Sequence, residues 1–127
     1  MTRRAIAEAQ DIPAKFLEHI LADLKRSRLV SSVRGADGGY WLDRPPNRIS
    51  MADLIRATEG PLADVRGERP EDLQYPEDLA VLQRAWIAVR ANLRAVLEQV
   101  SLEDLRDGRL PPEVEALTET GAAWTHR

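Results

Sequence analysis

The residues of this chain best suited to chemistry are polar side chains grouped around a glycine-rich turn. Residues 34–40 read Arg-Gly-Ala-Asp-Gly-Gly-Tyr and lie between two β-prone runs, 29–33 and 40–42. Glycine reaches positive φ without a Cβ clash, so this stretch predicts a β-hairpin with Arg34 at its tip. An arginine carried on a hairpin can enter a narrow DNA minor groove, where negative potential is concentrated. The alternative for this turn, taken alone, is an ordinary surface hairpin.

A second group of polar residues precedes the turn, on a helix predicted to begin at Pro13. Four leucine or isoleucine residues follow the i, i+3, i+4, i+7 spacing of a core-facing stripe, with Phe16 at its edge: Leu17, Ile20, Leu21 and Leu24. The opposite face carries Ala14, Lys15, Glu18 and His19. On a recognition helix, lysine can contact guanine or phosphate, and glutamate can accept from the cytosine amino group. The alternative for this face is a solvated polar surface.

Short helices surround these two groups. Residues 2–10 predict a helix that is joined by a turn to the helix at Pro13, which makes a helix-turn-helix unit. After the hairpin, Ser50 and Asp53 have the spacing of a capping box, and Gly60 and Pro61 end the helix that follows. The predicted fold class is therefore mainly α with a small β-hairpin wing. Residues 1–60 are predicted to be a winged helix-turn-helix DNA-binding domain, and 61–76 a connector loop.

A long helix is predicted over residues 77–100, followed by a short helix that ends near 108 and a tail over 109–127. The apolar residues of the long helix recur in alternating steps of three and four: Leu79, Leu82, Trp86, Val89, Leu93, Val96 and Val100. This heptad spacing predicts dimerisation through the helix. The alternative is a helix that packs wholly on its own domain.

Composition limits the classes of function. The chain has 127 residues, no cysteine and a net charge of −3. We therefore expect no disulfide and no thiolate metal site, and with His126 as the only histidine besides His19 we expect no cofactor. Residues 1–48 hold nine Lys/Arg and six Asp/Glu, whereas residues 49–127 hold nine and fifteen, so the basic side chains favour the first third. No membrane segment or signal peptide is visible, which predicts a cytoplasmic protein.

Together these features resemble the Rrf-two family of winged helix-turn-helix transcriptional regulators, which includes IscR, NsrR and CymR. The residues that carry the resemblance are Ala7-Glu8, Phe16-Leu17-Glu18, Ile20-Leu21, Leu24, 29–32, Arg34-Gly35, Gly38-Gly39-Tyr40, 49–55, 59–61 and 100–105. The resemblance implies a homodimer that binds palindromic double-stranded operator DNA. It implies that Lys15 and Glu18 face the major groove, that Arg34 beside Gly35 enters the minor groove, and that the long helix crosses its partner.

The chain departs from the family pattern in two ways. Sensing members hold an iron–sulfur cluster on three cysteines in the connector, and this chain has none, so either its signal is something else, such as a small molecule or a partner protein, or it has no signal. The chain also lacks the usual first helix, as expected of a truncated product, a late start codon or a variant whose long helix covers the gap.

Three functions compete. The leading one is a cluster-free homodimeric repressor that binds DNA. The alternative is a protein-interaction or dimerisation module derived from the same fold that does not bind DNA. An enzyme is not expected, because no nucleophile–base pair, metal cluster or phosphate-binding loop is visible.

Overall fold

Residues 1–35, 38–60, 62 and 68–125 are described by the computed structural model of the protein. They form six α-helices, four short 3₁₀ turns and one two-stranded antiparallel sheet. Several predictions fall outside these residues: Ala36 and Asp37 of the hairpin turn, Pro61 and 63–67 of the connector, and His126. Within the described residues, no helix combines the length and apolar character needed to cross a bilayer.

Helices α1 (Arg3–Gln10) and α2 (Ala14–Arg26) form the predicted helix-turn-helix. The Thr2 hydroxyl accepts from the Ala5 N–H at 3.1 Å and caps α1, and Asp11 ends it in the left-handed conformation. Leu17 and Leu21 are buried, as their spacing predicts. Phe16 is different: its side chain is 61% exposed, so it lies outside the core stripe.

Strands β1 (Val30–Val33) and β2 (Gly39–Leu42) form the wing. They pair in register from Val30 opposite Leu42 to Val33 opposite Gly39. Met1 lies beside β2, where its amino group donates to the Tyr40 carbonyl at 3.1 Å and its carbonyl accepts from the Tyr40 N–H at 2.6 Å. The start of the chain is therefore attached to the wing.

Helices α3 (Met51–Glu59) and α5 (Leu102–Asp107) each begin with a capping box. The Ser50 hydroxyl accepts from the Asp53 N–H at 3.1 Å while Asp53 accepts from the Ser50 N–H at 3.0 Å, and Ser101 and Asp104 repeat this pair. A β-bridge between Ser50 and Ser101 joins the two helix starts. The segment between α4 and α5 is thereby fixed to the winged domain.

Helix α4 covers Ala80–Leu97, which is shorter than the predicted 77–100. Glu77–Leu79 is a 3₁₀ turn, and the chain leaves the helix before Val100 because the Val100 carbonyl accepts from the Met51 N–H at 2.8 Å. The helix is therefore about 27 Å long rather than about 36 Å. Val100 is only 2% exposed and belongs to the protomer core, so the prediction that it continues the apolar stripe of α4 is corrected.

The described part of the connector packs against α4. Pro70 is buried in a 3₁₀ turn, and the Gln83 side-chain amide donates to the carbonyls of Pro70, Glu71 and Leu73 at 3.2, 3.1 and 2.8 Å. Arg90 forms an ion pair with Glu71. The pKa of the Glu71 carboxyl lies below its ordinary value, because its own backbone N–H and then the Arg90 guanidinium stabilise the charged form.

The tail adds α6 (Pro112–Thr118) and a 3₁₀ turn over Gly121–Trp124. Val114 is buried, whereas Leu117 and Trp124 are exposed. Among the described residues, the buried apolar side chains come from α2, β1, α3, α6 and the segments that join the elements, and none come from α1, β2, α4 or α5: Leu17, Leu21, Leu29, Val30, Ile49, Ala52, Leu62, Val100 and Val114.

Candidate nucleic-acid interface

An open groove of about 680 Å³ lies between the start of α1, the start of α2 and the wing. Its lining includes Arg3 and Arg4 from α1, Ala14 from α2, and Gly35 and Gly38 from the hairpin. Three elements that are separate in sequence therefore meet along one concave surface. Ala14 and Gly35 are the two predicted site residues that the fold brings together in it.

The polar face of α2 is exposed beside this groove. Lys15, Glu18 and His19 are all exposed, and none of them lines the groove itself. Leu17 and Leu21 hold the opposite face of α2 in the core, which fixes the orientation of the helix. At the other end of α2, Lys25 donates to the Ser32 hydroxyl at 2.8 Å, so α2 and β1 are connected. This is the geometry of a helix that presents its first turns outward.

Arg34 follows β1 directly and is exposed, as predicted for the wing. Gly35 has φ +112°, a conformation that residues with a Cβ rarely adopt. The Gly38 N–H donates to the Gly35 carbonyl at 3.0 Å and closes the turn around the two residues left undescribed. The sequence of the turn therefore leaves the arginine side chain unburied at the edge of the wing.

Two arginines of α1 lie at the groove although their positions in the sequence did not mark them as site residues. Arg3 forms an ion pair with Glu18 of α2 at 3.2 Å, and Arg4 forms one with Glu8 of its own helix at 2.9 Å. Both guanidinium groups border the groove. The signal available in the sequence was the Arg-Arg pair directly after the Thr2 cap, at the start of a helix-turn-helix unit.

A second basic concavity lies beside the wing. Lys25, Arg28 and Arg44 line a shallow depression beside the wing, together with Ser31 and Asp43. Arg28 is held with φ +59° after the end of α2, and Arg44 follows β2. Cations grouped in this way can contact phosphates on either side of a DNA groove.

The predicted dimerisation residues divide into two sets. Leu79, Leu82, Trp86, Val89 and Leu93 are exposed and Val96 is half-buried, whereas Val100 is in the core. No residue of α4 is buried in the protomer. The described part of the chain thus leaves an apolar stripe on α4 uncovered.

The residues present do not fit an iron–sulfur cluster. Such clusters are held by cysteine thiolates, and the chain contains no cysteine. In the part of the chain that the structure describes, no group of three or more His, Asp or Glu side chains is placed to hold a metal ion.

Comparison with known proteins gives consistent matches. A family model named Rrf2 and described as an iron-dependent transcriptional regulator matches residues 1–108. A Mycobacterium tuberculosis protein named as an HTH-type transcriptional regulator is 46% identical over 114 residues, which are 90% of this chain and 71% of that protein. The HTH-type transcriptional regulator CymR of Bacillus subtilis is 34% identical over 102 residues, 80% of this chain and 69% of CymR.

Solved structures share the fold. CymR, the global cysteine regulator of B. subtilis, has a TM-score of 0.68 and 32% identity, covering 85% of this chain and 78% of that one. IscR of T. potens has a TM-score of 0.63 and 32% identity, covering 98% and 79%. The winged helix-turn-helix prediction is confirmed, as is the expectation of a regulator rather than an enzyme. This chain belongs to the Rrf2 (Rrf-two) family of transcriptional regulators and has its DNA-binding fold.

Proposed function

We propose that this protein is a homodimeric repressor that binds palindromic operator DNA without an iron–sulfur cluster. The observation that carries the proposal is the groove in which the starts of α1 and α2 meet the wing. Lys15, Glu18 and His19 on the exposed face of α2 enter the major groove, where the first turns of a recognition helix contact base edges. Arg34 beside Gly35 enters the adjacent minor groove.

Two observations support a homodimer. The first is α4, an 18-residue helix without a buried residue and with five exposed large apolar side chains at heptad spacing, counting Leu79 just before it. The second is the surface of the chain, 9784 Å² for 14.3 kDa. A compact monomer of that mass exposes roughly 6,800 Å². The excess exposed surface of about 3,000 Å² is large enough to contain the area that each partner usually buries in an obligate dimer, roughly 1,000–2,500 Å².

A two-fold dimer places two recognition helices on two half-sites, so the operator is a palindrome. Repression follows most simply, since a dimer that occupies promoter DNA excludes polymerase without further contacts. The effector that modulates binding is a small molecule or a partner protein, because the chain has no thiolate ligands for a cluster.

Substitution of the wing arginine tests the proposal. A duplex selected by the parent protein from a random-sequence library serves as the probe, and affinity is measured at several salt concentrations. Arg34→Ala should weaken binding about tenfold, and the slope of log K against log salt should fall by about one, because one cation leaves the DNA. In a reporter strain, the same variant should raise expression from the selected site.

Arg106→Ala is the charge-matched control. Arg106 lies on α5, paired with Glu103 and Asp107, and is not among the groove-lining residues. Its removal should leave the affinity unchanged. If Arg34→Ala binds like the parent, the wing has no part in recognition. If the folded parent selects no sequence, the protein is instead an interaction module that has kept the fold.

A further inference from the structure

The two halves of the helix-turn-helix are joined by one ion pair that crosses between them. Arg3 Nη1 of α1 lies 3.2 Å from Glu18 Oε1 of α2. The other ion pairs of the described residues in α1 and α2 are local: Arg4 with Glu8 and Arg26 with Asp23, each within one helix. The packing of α1 on α2 therefore brings Arg3 and Glu18 together. Their spacing in the sequence does not predict this pair.

The pair is placed at the proposed DNA surface. Arg3 lines the groove together with Ala14 and Gly35, and Glu18 lies on the exposed face of α2. The side chains of Arg3 and Glu18 are 48% and 60% exposed. An ion pair this exposed contributes little to folding, because water screens both charges. Its position beside the groove calls for a role other than stability.

We infer that Arg3 reads a guanine in each half-site and that Glu18 is the residue that positions it. The inference rests on the proposed function, since it assigns a ligand to the same groove. A carboxylate alone at the major groove would repel the phosphates and could accept from cytosine. A carboxylate that faces a guanidinium instead has its charge balanced, and its attraction limits where the arginine side chain lies.

The donors of arginine suit this arrangement. A guanidinium has five N–H groups in a rigid fork, so one edge can donate to Glu18 while another donates to guanine O6 and N7. Among the described residues, Glu18 is the only ion-pair partner of Arg3, so further N–H groups remain for the DNA. Arg3, which lies outside α2, thereby adds a base contact to the recognition surface.

The test uses the duplex that the parent selects, with guanine replaced by 7-deazaguanine at one position at a time. This base lacks the N7 acceptor but still pairs with cytosine. At one position per half-site the replacement should weaken the parent roughly tenfold and leave Arg3→Ala unaffected. Arg3→Ala on the normal duplex should show the same loss, and a fresh selection with it should no longer prefer guanine there.

Two further variants separate reading from positioning. Arg3→Lys keeps the charge but lacks the rigid planar fork that donates to Glu18 from one edge and to guanine from another, so it should keep the salt dependence of the parent and weaken the guanine preference. Glu18→Gln should reduce the same preference, and adding it to Arg3→Ala should cost nothing more. Arg106→Ala serves again as the control, and thermal melts establish that each variant is folded.

Several results would overturn the inference. If Glu18→Gln loses the preference while Arg3→Ala keeps it, Glu18 reads cytosine directly. If Arg3→Ala only lowers the salt slope and 7-deazaguanine has no effect on the parent, Arg3 contacts phosphate. Both results leave the proposed function intact, since Arg34→Ala would still weaken binding. A folded parent that selects no DNA sequence removes the proposed function and this inference together.

Discussion

Gly39 shows how one residue position can control the attachment of the chain start to the wing. Its φ is +147°, and a Cβ built on it would lie 2.5 Å from the Met1 carbonyl oxygen. That oxygen accepts from the Tyr40 N–H, one residue along β2. The close backbone approach of Met1 therefore depends on the absence of a side chain at position 39.

Gly39→Ala is expected to destabilise the fold by about 1–3 kcal/mol, because the backbone conformation becomes strained and Met1 must move. Urea unfolding followed by circular dichroism measures the change. Gly121→Ala is the matched control, since a Cβ there meets nothing within 4 Å. Equal stability of Gly39→Ala and the parent would show that the contact between Met1 and the wing does not form in solution.

Glu18 has an ion-pair partner that its own sequence neighbourhood does not predict. Its helical position was predicted from periodicity within α2, and that position is exposed. Its partner Arg3 lies fifteen positions earlier, on another helix, so no local pattern connects the two. An isolated glutamate suggests an acceptor for cytosine, whereas the ion pair suggests a support for arginine.

At the scale of elements, side-chain hydrogen bonds and an ion pair hold the connector on α4 beside the buried Pro70. One side-chain amide, that of Gln83, donates to three carbonyls of residues 70–73. The Glu71–Arg90 ion pair lies beside it. A segment held by so few side chains can be released without unfolding the winged domain.

Gln83→Leu keeps the bulk of the side chain and removes these donors. We expect faster amide hydrogen exchange across residues 71–75, with protection in α2 unchanged, because the carbonyls that hold this segment on α4 lose their shared donor. Hydrogen exchange with peptide-level mass spectrometry measures both regions. Gln99→Leu is the control, since the Gln99 amide donates only within its own segment, to Ala95. Unchanged exchange in the connector would mean that other contacts hold it.

At the scale of the whole molecule, the uncovered stripe on α4 decides between a monomer and a dimer. Val89 lies on this stripe and Val81 lies on the same helix about 80° around its axis from Val89, and both are exposed. A carboxylate on the stripe would be buried against apolar side chains of a second copy. A carboxylate at position 81 would stay in water.

Val89→Asp is therefore expected to weaken self-association at least tenfold, while Val81→Asp associates like the parent. Analytical ultracentrifugation across a range of protein concentrations gives the masses, and the parent should approach twice 14.3 kDa. Operator affinity of Val89→Asp should fall as well, because a monomer reaches one half-site at a time. A parent that sediments as a monomer at every concentration would refute the dimer.

Features that depend on neighbouring residues could be derived from the sequence alone. The capping box of Ser50 and Asp53 spans three positions, the Leu17–Leu21 stripe spans one helical turn, and the glycines of the wing act on their own backbone. These local rules were enough to predict the winged helix-turn-helix and the exposed Arg34. Preferences that act over a few neighbouring residues are present in each segment before the chain folds.

Contacts between distant segments required the folded chain. The β-bridge from residue 50 to residue 101 removes Val100 from the helix whose heptad spacing it continues. Packing of α1 on α2 pairs Arg3 with Glu18, and Phe16 is exposed although the adjacent Leu17 is buried. Periodicity reports which residues share a face, but which surface covers that face depends on long-range packing. For that reason the class of protein followed from the sequence, and the residues of the proposed recognition surface followed from the tertiary structure.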